Sequence, residues 1–290
     1  MTQKELAGQL GVTFAALNRW LNGHAKPHPK KQEAIGKLYR RLVGFPTVSA
    51  NEVRRLVRKA DSFRRKELWD FLRHTKSLQE ELLLEHTYNS TTIEGNTLTK
   101  RETEAIIFRK SVIEDKSLVE HLEVTNHAAV LRGIFERKHE GRLTERLIQE
   151  IHKELMTGIR PDGGEYSRHQ RVIRGLSIQL THPKDIPEEM AGLIRWWSRL
   201  PKVSIKEIAH FHASFELIHP FGDGNGRVGR LVMALQCLGD GLPPIVIENA
   251  RKMEYYEVLE YAQTKAEGPF IRFLVDELER TSGLIRKYRR

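Results

Sequence analysis

Cysteine is almost missing from this chain. Cys237 is the only one in 290 residues, so no disulfide can close within it. It lies in the apolar run Leu231 to Leu238, the setting of a buried core thiol. No stretch approaches the ~18 consecutive apolar residues that a membrane helix needs, and no apolar leader opens the sequence. The expectation is a cytoplasmic protein with no membrane partner. Repeats and low-complexity segments are also lacking. No Gly-x-Ser-x-Gly elbow occurs, and no Walker lysine follows a glycine loop. His210 and His212 are two apart on a helical pattern, so they point to different faces and make a poor metal pair with His219.

The composition, with 39% hydrophobic and 30% charged residues, suits one or two globular domains. The formal net charge is +10, and it is unevenly placed. Residues 1–60 hold twelve Lys plus Arg against three Glu, a net of +9, which leaves only +1 for residues 61–290. Such a patch attracts polyanions, nucleic acid first, or is simply a solvated basic surface. Charge alone leaves both open.

Helical periodicity dominates. Gln3 to Leu10 is a short amphipathic unit broken by Gly11, and Thr13 is placed to cap a second helix to about Leu21. Gln32 to Val43 is helical again, and Gly44-Phe45-Pro46 marks a boundary. Ser49 with Glu52 predicts a capping box opening a basic helix (Arg54, Arg55, Arg58, Lys59) that bridges two domains. A series of long helices is then expected from about Ser62, one of them running to Glu94 and stopped by Gly95-Asn96, with a second capping box at Thr99 and Glu102. Val172 to Leu180 reads as a β-hairpin among helices. The domains so read are 1–44, a linker at 45–61, and 62–290.

The chemistry concentrates in His219 to Arg230, HPFGDGNGRVGR, a turn between two amphipathic helical stripes. Gly224-Asn225-Gly226 lets backbone approach a ligand. The N–H groups opening the next helix lack intrahelical partners and, with the helix dipole, favour an anion. Arg227 and Arg230 are three apart on that first turn, and guanidinium groups suit phosphate. Asp223 is a carboxylate suited to Mg²⁺, which takes few carboxylates beside phosphates. His219 titrates near neutrality and can take a proton from a hydroxyl. This inventory fits phosphoryl or nucleotidyl transfer.

The string resembles the Fic signature, HPFx(D/E)GNGRxxR, at every defined position, and the wider resemblance covers about residues 62–290. It implies an all-α Fic core with a small β-hairpin flap and transfer of AMP from ATP, with Mg²⁺, to a hydroxyl of a target protein. His219 would be the base and Asp223 the Mg²⁺ ligand. Asn225 with the backbone at Gly224 and Gly226 would hold the α-phosphate, Arg227 and Arg230 the outer phosphates, and Phe221 would anchor the loop. The family's kinase branch has Lys where Arg227 stands, so AMP transfer is favoured. The hairpin would be the flap that adds a strand to the target segment. Tyr255 and Tyr256 lie where the family often lines the adenine pocket, or are ordinary helix packing.

Ser90 to Asn96, STTIEGN, is similar to the family's inhibitory motif (S/T)xxxE(G/N), with Ser90, Glu94 and Gly95 at the defined places. The resemblance implies that Glu94 pairs with Arg230 and blocks a productive ATP pose, in the class that carries the inhibitor upstream in the same chain. The same glutamate could orient water to remove AMP. Residues 1–30 resemble a repressor-type helix-turn-helix. Its second helix would be about Phe14 to Leu21, with Asn18 and Arg19 as candidate contacts to duplex DNA. A protein-interaction module is the alternative. That family has a helix ahead of this segment, so either the chain is truncated or a later helix closes the core.

The expectation is therefore an autoinhibited protein adenylyltransferase. The competing classes are a DNA-binding regulator with a nucleotide-sensing Fic core, and a Fic enzyme using another nucleotide donor. The target and its modified residue are not written in the sequence, and a homodimer is left open.

Overall fold

The computed structural model describes residues 1–136, 143–170 and 178–288. All regular secondary structure among them is helical, with fourteen α-helices. The expected hairpin falls largely on residues 171–177, outside the described residues. The chain divides into two compact units, Met1–Thr47 and Val48–Arg290.

The first unit holds α1 (Gln3–Gln9), α2 (Phe14–Leu21) and α3 (Pro29–Val43). Thr2 and Glu5 form a capping box on α1, and the Thr13 hydroxyl caps α2, so both starts are locally encoded. Gly11 takes the turn between them at φ 59°, where a side chain is disfavoured. Ala7, Leu10 and Leu17 pack with Leu38 of α3 into one small core. A later helix therefore closes this unit. Lys31 at the start of α3 donates to the Leu10 carbonyl at 2.8 Å, pinning α3 to the turn.

The second unit runs α4 (Ala50–Asp61), α5 (Leu68–His74), α6 (Lys76–Ile93), α7 (Lys100–Arg109), α8 (Leu118–Glu136), α9 (Glu145–Leu155), α10 (Ile186–Ser198), α11 (Ile205–Ile218), α12 (Asn225–Gly239), α13 (Lys252–Thr264) and α14 (Gly268–Arg286). Helix α12 is the centre. Its residues from Val228 to Leu238 are buried on every side, and α6, α8, α9 and α11 pack against it. Burying each Leu or Val there stabilises the fold by roughly 1.5–3 kcal/mol. Gly229 permits a close approach of α11: a Cβ would sit 2.5 Å from Glu216 Oε1 and 3.2 Å from Phe215 Cδ1.

The helix that stops at Glu94 begins at Lys76, because Thr75 leaves helical geometry at ψ 80° between α5 and α6. One local expectation differs from the structure. The Thr99–Glu102 capping box forms, but at Ser49 only half of the box does. Glu52 turns away to pair with Arg272 of α14, and Lys59 pairs with Glu279 at 2.7 Å. Helix α4, read as a linker from sequence, thus lies along α14 within the second unit.

Candidate active site

Helix α11 ends at His219, which is left-handed at φ 51°, and this turns the chain sharply into the loop before α12. The loop is braced from inside. Phe221 is fully buried, and its ring stacks on His152 of α9 with centroids 3.8 Å apart. The Asn225 side chain is 2% exposed and bonds the Phe221 backbone in both directions. It accepts from the N–H at 2.9 Å and donates to the carbonyl at 2.9 Å. Its amide thus helps shape the loop, and the second N–H of Nδ2 has no hydrogen-bond partner among these contacts. Gly224 is left-handed at φ 76°, and a Cβ there would collide with Met156. Gly226 likewise leaves no room for a Cβ, here because Glu94 occupies the space. No side chain of the described residues caps α12, so its first N–H groups stay available.

Charge is arranged around this turn. The Asp223 side chain is 53% exposed. One carboxylate oxygen accepts from the Gly224 N–H at 2.7 Å, and the other has only a long 3.4 Å contact with Arg227. A single exposed carboxylate of this kind fits Mg²⁺, which keeps waters and takes its remaining ligands from phosphates. No cluster of three metal-ligating side chains occurs among the described residues.

Both arginines are 2% exposed and already engaged. Arg230 donates from Nε to the Ser90 hydroxyl at 3.0 Å and from Nη2 to the Ser90 carbonyl at 2.9 Å. The same Nη2 reaches Glu94 Oε1 at 2.7 Å, at the C-terminal end of α6. Ser90, Glu94 and Arg230 are thus brought together, and Gly95 follows at φ 107°, ending the helix. Arg227 donates from Nη1 to Glu123 of α8 at 2.6 Å.

Glu123 and His152 were missed from sequence. His152 donates from Nε2 to the Asp223 carbonyl at 3.1 Å, while its Nδ1 accepts from the Gly164 N–H at 2.9 Å. Burial pushes its pKa down to about 4, so it is a neutral strut between α9 and the loop. Behind Arg230 lies a buried layer. Burial, then Arg230, lowers His212 to about 3, and burial raises Glu216 to about 8. Tyr255 belongs to this layer. It is 1% exposed, meets His212 Nε2 through its hydroxyl at 2.7 Å and packs against Phe270 and Phe273. Tyr256 instead borders the end of α6, its hydroxyl 3.4 Å from the Ile93 carbonyl.

Residues 142–237 match the Fic/DOC family, and residues 1–40 match a helix-turn-helix family. Proteins named protein adenylyltransferase Fic are similar over most of this chain's length. That of Drosophila persimilis is 30% identical, with 88% of this chain and 51% of its own length covered. That of Aedes aegypti is 29% identical, covering 89% and 52%. The chain therefore spans about half the length of these curated relatives. A Fic-domain signaling protein from Bacteroides thetaiotaomicron superposes with a TM-score of 0.65 at 26% identity, over 81% of this chain and 98% of that one. Fic-1 from C. elegans shares the fold, with a TM-score of 0.69 at 23% identity over 98% and 86% of the two chains. The Fic match includes the whole loop from His219 to Arg230.

In the helix-turn-helix unit, Asn18 and Arg19 lie on the exposed face of α2. Asn18 accepts from Asn22 Nδ2 at 2.6 Å, and Arg19 has no ion pair among the described residues. No helix of the described residues is long and apolar enough to cross a membrane.

Proposed function

We propose that the second unit is a protein adenylyltransferase held in check by Glu94. The observation that carries this reading is the convergence on one interhelical turn. His219, Asp223, the open start of α12 and Arg230 lie within twelve residues, and Glu94 sits on Arg230. In this reading ATP lays its phosphates on the N–H groups of Gly224 to Gly226 and between Arg227 and Arg230. His219 takes the proton from a target hydroxyl, whose oxygen attacks the α-phosphorus, and pyrophosphate departs. Asp223 holds Mg²⁺, which neutralises charge on the phosphates. With Arg230 tied to Ser90 and Glu94, the γ-phosphate lacks its cation and the productive pose is lost. The names of the relatives support the AMP donor, and Arg227 in place of Lys is consistent with it.

The helix-turn-helix match and the +9 charge of residues 1–60 support a second, compatible role, binding of duplex DNA through residues 1–44. Incubating the Glu94→Gly protein with Mg²⁺ and ATP, GTP, CTP or UTP, each labelled on the α-phosphate, tests the donor. Label should enter protein from ATP above the others. Preferential labelling from another nucleotide contradicts the assignment.

A further inference from the structure

The two signature arginines are not equivalent. Arg230 has its Nε–Nη2 edge filled by Ser90 and Glu94. Arg230 keeps one buried N–H, on Nη1, without a hydrogen-bond partner among the described residues, whereas on Arg227 it is the Nε–Nη2 edge that lacks close partners. Glu123 takes Nη1 at 2.6 Å, whereas Nη2 has only the 3.4 Å contact to Asp223, and Nε is buried with no hydrogen-bond partner among the described residues. Leaving a buried N–H unmade costs roughly 1–3 kcal/mol, so such a group signals an expected acceptor. The Nε–Nη2 edge is the fork that matches two oxygens of one phosphate. It lies beside Asp223.

Glu123 is itself fixed. Its Oε2 accepts from Asn96 Nδ2 at 2.9 Å, and the same amide nitrogen donates to the Glu120 carbonyl at 3.1 Å. Asn96 is the last residue of the STTIEGN segment and is 5% exposed. Glu123 is 17% exposed against 2% for Arg227, so the pair is shielded from solvent screening.

We propose that Glu123 is a positioning residue that presets Arg227 for phosphate. It holds Nη1 and leaves Nε and Nη2 with no acceptor nearer than the 3.4 Å contact to Asp223. Glu94 acts on Arg230 in the contrary sense, by occupying the fork. The two carboxylates should therefore affect nucleotide binding in opposite directions, although both pair with arginine. The proposal rests on the nucleotide-transfer reading above.

The test is ATP affinity by calorimetry in the full chain with Mg²⁺, using Glu94→Gly as parent and adding Glu123→Ala or Glu123→Gln. Glu123→Ala should weaken ATP binding by about 10–100-fold, the cost typical of losing the partner that orients a ligating group. The effect should fall on KM for ATP rather than on kcat. Glu123→Gln keeps an acceptor for Nη1 and should recover much of the affinity. Thermal melting monitors folding of each variant. Tighter ATP binding in Glu123→Ala would mean that Glu123 competes with phosphate, and overturns the proposal. Unchanged affinity with only a lowered Tm makes the pair purely structural and also overturns it. Should the Glu94→Gly parent bind no nucleotide at all, the transfer reading itself falls and this proposal with it.

Discussion

Gly229 and Glu216 meet where α12 crosses α11, and a Cβ on Gly229 would fall 2.5 Å from Glu216 Oε1. Gly229 occupies an undefined position of the Fic signature, yet the packing of the two helices that frame the loop depends on it. Gly229→Ala should destabilise the protein by about 1–3 kcal/mol, the usual cost of overpacking a core. Adding Glu216→Ala should recover part of that loss, because the two sites touch and are not additive. Thermal melts of the single and double variants check this. Equal Tm in wild type and Gly229→Ala would mean that the crossing is looser than described.

His219 closes α11 in a left-handed turn and is half-buried at the mouth of the loop. As the proposed base it should be needed for the chemical step and not for phosphate binding. His219→Ala should lower transfer by about 10²–10⁴-fold, the range for general bases. ATP affinity should change little. Undiminished labelling by the alanine variant would remove His219 from that role.

His86 lies in the buried layer behind Arg230, and burial first, then Arg230, pushes its pKa down to about 4 from 6.5. The folded protein holds it neutral, while the unfolded chain takes up a proton below 6.5. A depressed folded pKa gives stability that is present above 6.5 and is lost as pH falls from there through about 4. The full effect is on the order of 3 kcal/mol. His127, its ring centroid 5.3 Å from that of His86, and the buried His212 are also lowered, so they share the same acid window. His86→Gln should flatten the fall in Tm between pH 6.5 and 4. An identical acid limb in the variant would assign the acid sensitivity to the other lowered histidines, His127, His152 and His212.

What was legible in the sequence was local. The Fic loop, the caps at Thr13 and Thr99 and the turn at Gly11 are written in neighbouring residues, and they fold as read. What was not legible came from tertiary pairing. Glu123 reaches Arg227 across 104 positions, and His152 reaches the Asp223 carbonyl across 71. Neither carries a local pattern that marks it. Ser49 and Glu52 had the right spacing for a full capping box, but Arg272, 220 residues away, competes for the carboxylate. The break at Thr75 has no proline or glycine to announce it.

The helix-turn-helix unit should bind duplex DNA through counterion release. Log affinity should fall with log salt at a slope of about −0.9 per phosphate contact. Removing residues 1–44 should abolish most of this binding and leave AMP transfer to a small test substrate nearly unchanged. Arg19→Ala should cost more on a preferred site than on random duplex if α2 reads bases, and equally on both if it touches phosphate alone. No binding at low salt would turn the unit into a protein-interaction module.

The most direct measurement of the central claim is incorporation of label from α-labelled ATP into protein by wild type, Glu94→Gly, and Glu94→Gly with Arg230→Ala. Freeing Arg230 from its 2.7 Å contact with Glu94 should raise transfer well above wild type. Removing Arg230 as well should cancel the gain, since in the proposed reading the freed guanidinium binds the γ-phosphate. Equal labelling by folded wild type and Glu94→Gly, or a gain that survives loss of Arg230, would contradict the account.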